Sequence, residues 1–178
     1  MSEKLLVYKV VMAGDAAVGK TSLIKRHVDH TFTKEYLTTV GIQVSVKEYR
    51  VEDFLVKAMI WDIAGQQTFD KVHSLYFKDS DAGIFVYDIT RRDTFRNIKL
   101  WYKKLQTNSP GALAILCANK KDLEWKREVG FDEGQRLAKQ IKAKFFIETS
   151  ALTGEGVDDL FEMLLEVLLL EKERAVEL

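Results

Sequence analysis

Cysteine and proline each occur once in the 178 residues, and the charges cancel, with 27 Lys+Arg against 27 Asp+Glu. Each shortage excludes something. A lone thiol, Cys117, cannot form an intrachain disulfide, so nothing calls for an oxidising compartment. A net charge of zero supplies no bulk attraction to nucleic acid or to an anionic membrane, and nucleic acid is not expected as a partner. Long apolar runs are also missing. The N-terminal run, residues 5–12, is interrupted by Lys9 and leads into a glycine loop rather than a cleavage site. Ser2 removes the N-myristoyl signal, and the closing EKERAVEL holds no cysteine to prenylate. The expectation is a cytoplasmic chain with no membrane anchor of its own, which meets membranes only if a lipidated tail lies beyond Leu178.

What is present is 47% hydrophobic residues, enough for a core, and a length that suits one domain over residues 1–178. Two periodicities alternate along it. An apolar run at 5–12 precedes a glycine-rich turn and a helical pattern with Leu23, Ile24, His27 and Val28 on one face. Alternating runs at 42–50 and 54–61, joined at Glu52-Asp53, predict a β-hairpin. Residues 82–89 predict a buried strand. Asp93 is expected to cap a helix with Phe95, Ile98, Trp101, Tyr102 and Leu105 inward. The only proline, Pro110, punctuates before a strand at 112–118. A helix near 131–141, a strand at 144–148 and a last helix from about Gly156 complete the chain, the last with Val157, Leu160, Phe161, Leu164, Leu165 and Leu168 inward. Alternation of this kind predicts an α/β fold: a mostly parallel sheet with helices on both faces. In such sheets ligands bind beyond the carboxyl ends of the strands, which directs attention to the residues after Met12, Trp61, Ala118 and Glu148.

A motif stands at each of those places. Gly14-Asp15-Ala16-Ala17-Val18-Gly19-Lys20-Thr21 fits G-x-x-x-x-G-K-[ST] between a strand and a helix. Its glycines let backbone N–H groups turn inward on phosphate oxygens, and the helix N-terminus adds its dipole. Lys20 would reach the β- and γ-phosphates, and Thr21 offers a hydroxyl to Mg²⁺. Asp62-Ile-Ala-Gly65-Gln66 places a carboxylate where a water-mediated Mg²⁺ partner is needed, a glycine for close approach to the γ-phosphate, and an amide that can orient the attacking water. Taken alone, Asp-x-x-Gly is also a generic turn. Asn119-Lys120-Lys121-Asp122 ends in a carboxylate able to accept from both the N1–H and the exocyclic amine of guanine, which adenine cannot match. In isolation it is ordinary loop composition. Ser150-Ala151-Leu152 offers small residues where a backbone N–H could approach a base oxygen.

In this order and spacing the motifs resemble the Ras superfamily of small GTPases over nearly the whole chain. The resemblance implies a P-loop G domain with a six-stranded sheet that includes one antiparallel hairpin strand, GTP/GDP and Mg²⁺ as ligands, and GTP hydrolysis. It implies that Thr39 is the switch threonine that ligates Mg²⁺ beside Thr21 and Asp62, that Phe32 packs on the guanine with Tyr36 in the same nucleotide-binding set, and that Ser22 follows the P-loop. It further implies that Asn119, Lys120 and Asp122 hold the base with Ser150, Ala151 and Leu152, and that Gln66 and Lys20 are catalytic. Exchange factor, activator and effectors would dock on residues 31–40 and 64–77, and a monomer is expected.

Among branches the chain looks most like the Rab group. Trp61 precedes Asp62, Tyr76 takes the last place of the Rab aromatic triad, and Val86-Tyr-Asp-Ile-Thr90 matches a Rab signature. This resemblance implies a role in membrane traffic or signalling. It has departures: Val44 replaces the triad phenylalanine, Gln67-Thr68 replaces Glu-Arg, and Ala16 stands where many Ras proteins carry glycine. No arginine sits in a loop insertion to act in cis, so intrinsic turnover is expected on the order of 10⁻⁴ to 10⁻³ s⁻¹, as in Ras-type proteins, with an outside activator supplying a large factor. Two other readings are open. Ala16 could mark a nucleotide-locked scaffold that binds GTP without hydrolysing it, and a P-loop alone is compatible with an ATP-using enzyme, against which Asp122 speaks. Cys117, in an apolar strand, is expected to be buried filler. His27, His30 and His73 have no metal-ligand spacing.

Overall fold

The apolar run near the N-terminus becomes the centre of the sheet. In this computed structural model, which describes residues 4–28, 42–51, 53–63 and 70–176, strand β1 (Lys4–Ala13) pairs in parallel with β3 (Phe54–Ile63) on one side and β4 (Ala82–Asp88) on the other. Its last four residues, Val10 to Ala13, are fully buried because helices cover both faces there. Beyond β4 lie β5 (Leu113–Asn119) and β6 (Phe146–Glu148), both parallel. Beyond β3 lies β2 (Ile42–Val51), the one antiparallel strand, whose Val51 faces Phe54 across the hairpin turn. The described strands thus form one six-stranded sheet in the order β2-β3-β1-β4-β5-β6.

Two apolar cores lie on its opposite faces. On one, α1 (Lys20–Val28) and α6 (Val157–Val176) bury Leu23, Ile24, Leu160, Phe161 and Leu164 against Val10, Met12 and Ile84. On the other, α2 (Asp70–Phe77), α4 (Ile98–Asn108) and α5 (Phe131–Gln140) bury Phe77, Trp101, Leu105 and Leu137 against Val11, Phe85 and Leu116. Helix α6 carries its expected inward residues, except that Leu165 is only half-buried.

The structure corrects two expectations. The helix opened by Asp93 is two helices, α3 (Arg92–Arg96) and α4, broken at Asn97. Asp93 caps neither; it lies inside α3 and pairs with Arg91 at 3.2 Å. The work at that turn falls to the buried Thr94, whose Oγ1 donates to the Arg91 carbonyl (2.7 Å) and accepts from the Asp88 N–H (3.0 Å). The strand expected at 144–148 shortens to β6 (Phe146–Glu148), although the backbone N–H of Lys144 still donates to the Ala114 carbonyl of β5 at 2.8 Å. Phe77, at the end of the 64–77 segment, is wholly buried and packs on Trp101 with ring centroids 6.5 Å apart.

Candidate functional site

The loops after β1, β3, β5 and β6 leave from the same edge of the sheet, at their carboxyl ends. The turn after β1 is built by backbone that only glycine can supply. Gly14 has φ +149°, and a Cβ there would stand 2.2 Å from the Val86 carbonyl oxygen. Gly19 has φ +102°, and a Cβ there would stand 2.2 Å from the Asn119 side chain. Ala17 also holds a positive φ, +63°, without being glycine. Lys20, at the start of α1, is 6% exposed and folds back over the turn, its Nζ donating to the carbonyls of Gly14 (2.9 Å) and Asp15 (2.8 Å). Burial lowers its pKa, with Asp62 and Asp15 working in the opposite direction.

Thr21 and Asp62 meet across the sheet. The Thr21 hydroxyl donates to Asp62 Oδ2 in a short contact. Burial raises the Asp62 pKa, opposed first by that hydrogen bond and then by Lys20 and Lys25. These two oxygens, next to a lysine, form a hard donor pair of the kind Mg²⁺ takes together with phosphate and water. Among the described residues no group of three or more His, Cys, Asp or Glu could hold a metal ion.

Asn119 is the junction of the site. Almost wholly buried, it donates to the Val18 carbonyl (2.9 Å) and accepts at Oδ1 from Thr149 Oγ1 (3.1 Å) and the Ala151 N–H (3.2 Å). One amide thereby joins the turn after β1 to the loop after β6. Lys120 sits at φ +69° and its Nζ reaches the buried Asp88 carboxylate at 2.7 Å. Those contacts hold the Asp88 pKa below its ordinary value although burial pushes it up. Asp122 Oδ1 accepts from Ser150 Oγ at 2.6 Å. Together Gly19, Ser22, Asn119, Lys120, Asp122, Ala151 and Leu152 line a cavity of about 310 Å³. Nearby in the chain, Arg127 bridges Glu148 (2.7 Å), at the end of β6, and Glu124.

A comparison with protein-family models matches the Ras family over residues 9–170. The chain belongs to the Ras family. It is 41% identical to Ras-related protein RABA5b of Arabidopsis thaliana over 160 residues, 89% of this chain and 73% of the relative. It is 37% identical to Ras-related protein Rab-13 of Rattus norvegicus, over 93% of this chain and 81% of that one. Ras-related protein RabC of Dictyostelium discoideum is 35% identical, over 92% and 85%. The chain is therefore a Rab-like small GTPase, with the guanine nucleotides of that family as ligands and regulators and effectors as partners.

The structure brings Gly14 to Ser22, Asp62, Asn119, Lys120, Asp122, Ser150, Ala151 and Leu152 of this Ras-family protein to one edge of the sheet. Phe32, Tyr36, Thr39, Gly65 and Gln66 lie outside the described residues. Of the Rab triad positions, Val44 is buried while Trp61 and Tyr76 are half-buried. Lys9 lies over the Trp61 ring, 4.4 Å from its centroid, and donates to the Lys78 carbonyl at 2.6 Å. Sequence reasoning missed the residues that hold the turn from outside. Arg91 donates to the Ala16 carbonyl at 3.0 Å, and the Asp15 carboxylate accepts from Asn97 Nδ2 (2.7 Å) and Trp101 Nε1 (2.9 Å). No local pattern signals these contacts, since their partners are separated by 75 to 86 positions in the chain. Among the described residues no helix is long and apolar enough to cross a membrane.

Proposed function

We propose that residues 1–178 act as one G domain, a GTP-driven switch of the Rab kind in membrane traffic or signalling. In this reading the amides of residues 14–19 and Lys20 take the phosphates, while Phe32 and Tyr36 cover the nucleotide. The cavity beside Asp122 takes guanine, with Asp122 accepting from the base and Lys120 and the Ser150–Leu152 loop closing around it. The observation that carries it is Asn119, whose single side chain ties the turn after β1 to both loops assigned to the base, so that one ligand would be gripped by all three. Thr21, Thr39 and Asp62, the last through water, would hold Mg²⁺, and the all-oxygen pair of Thr21 and Asp62 supports that choice. When bound, Mg²⁺ neutralises charge on the β- and γ-phosphate oxygens.

Gln66 orients the water that attacks the γ-phosphorus, and Lys20 stabilises the charge that develops on the departing oxygens. The γ-phosphate holds Thr39 and Gly65, ordering residues 31–40 and 64–77 for partners and releasing them after hydrolysis. Intrinsic turnover is slow, on the order of 10⁻⁴ to 10⁻³ s⁻¹, and an activator accelerates it. Single-turnover GTP hydrolysis tests this. Gln66→Leu should lower the rate about tenfold or more. The alternative, a hydrolysis-deficient scaffold motivated by Ala16, predicts no rate for that substitution to slow.

A further inference from the structure

Asp15 poses a problem that its neighbours answer. It is an acid within the turn assigned above to phosphate, and a carboxylate there repels a phosphate and competes for Lys20. Its main chain is already beside that lysine, since the Asp15 carbonyl accepts from Lys20 Nζ at 2.8 Å. Its side chain points the other way. One carboxylate oxygen accepts from Asn97 Nδ2 at 2.7 Å and the other from Trp101 Nε1 at 2.9 Å. Asn97 is the residue that caps the start of α4 and Trp101 lies four positions on, in its first turn, so both donors face the same side. Trp101 is 1% exposed and wedged beside Phe77, which fixes its indole N–H in place, and Asp15 itself is 8% exposed. Two N–H groups aimed at an ionised carboxylate make charge-assisted bonds, stronger than neutral ones.

We propose that Asn97 and Trp101 are positioning residues of the phosphate turn, holding the Asp15 carboxylate outward so that Lys20 and the inward amides remain free for the nucleotide phosphates. The clasp couples α4, on the far face of the sheet from α1, to nucleotide retention. The inference rests on the reading of residues 14–21 as the phosphate site.

Titration calorimetry of the full chain with GDP and with guanosine, in Mg²⁺, separates the two ideas. The wild type should bind GDP far more tightly than guanosine. Trp101→Phe, which keeps the ring packing, and Asn97→Ala, on a half-buried position, should each weaken GDP by roughly tenfold. Guanosine, which has no phosphate, should bind as before. In an Asp15→Asn background no charge remains to restrain, and Trp101→Phe should then cost less than about threefold. Equal losses for GDP and guanosine, unchanged GDP affinity in both single variants, or an undiminished effect in the Asp15→Asn background would overturn the clasp. A wild type that bound guanosine as tightly as GDP would remove the phosphate reading itself, and the clasp with it.

Discussion

Ala17 occupies the left-handed region at φ +63°, which costs a residue with a Cβ energy that glycine avoids. Ala17→Gly should therefore stabilise the fold by up to about 1 kcal/mol, reduced by the extra freedom glycine has when unfolded. Urea titration of the nucleotide-free chain measures it, and a lower midpoint would contradict the backbone reading. His27 gives a second residue-scale prediction. It is buried in the last turn of α1 and stacks on Phe161 with centroids 4.2 Å apart. Its Nδ1 donates to Asp158 at 2.7 Å and its Nε2 accepts from the Lys47 ammonium. Burial lowers its pKa first, Lys47 adds to that, and Asp158 opposes it. A folded pKa below the ordinary value means the unfolded chain takes up the proton first. Stability is then complete above about pH 6.5 and is lost as pH falls through that value toward the folded pKa. Melting temperatures between pH 7.5 and 5.5 should fall more steeply for the wild type than for His27→Leu. Cys117 needs no such test to be called structural: burial pushes its thiol up to about 12, and it touches Thr149 Oγ1 at 3.2 Å.

At the scale of elements, the junction of β4 and α3 shows where local pattern and tertiary structure part. An acidic residue ahead of an apolar stripe is a sound signal for a helix cap, yet Asp93 pairs on the surface and Thr94 serves the backbone. Thr94→Val should cost about 1–3 kcal/mol by orphaning the Asp88 N–H, while the Arg91 carbonyl keeps the Thr94 backbone N–H, whereas Asp93→Ala should stay within about 0.5 kcal/mol. Chemical denaturation of both variants checks the pair, and equal effects would restore Asp93 as the cap. Elements with strong periodicity and length, such as α6 and the hairpin of β2 and β3, were legible because one face of each must be buried. The break at Asn97 was not legible, because Phe95 and Ile98 continue the helical stripe across it. The site divides in the same way. Gly14, Gly19, Lys20, Asn119 and Asp122 stand out because phosphate and guanine demand those residue types at strand ends. Asn97, Trp101, Arg91 and Asp88 act through contacts made only once the sheet has assembled, and a core tryptophan looks the same whether or not its N–H has a carboxylate to hold.

The whole molecule returns to the cancelled charge. Residues 91–108 carry Arg91, Arg92, Arg96, Lys99, Lys103 and Lys104 against Asp93, while α6 carries Asp158, Asp159, Glu162, Glu166, Glu171 and Glu173 against Lys172 and Arg174. These segments lie on opposite faces of the sheet. Part of the zero net charge is thus an offset between a basic segment on one face and the acidic α6 on the other, although α1, on the face of α6, is itself basic with Lys25 and Arg26. The ligand edge runs between the two faces, where a parallel sheet gathers loops from β1, β3, β5 and β6. That gathering brings Gly19 and Ser22 into one cavity with Asn119, Asp122 and Leu152, the pocket proposed for the guanine nucleotide. Competition binding of GDP against ADP, on the wild type and on Asp122→Asn, tests it most directly. The account predicts a GDP preference of about 10⁴-fold or more in the wild type that collapses in the variant, since a site built to pair with the base rejects one that leaves its groups unpaired. ADP binding as tightly as GDP, or a preference that survives Asp122→Asn, would contradict it.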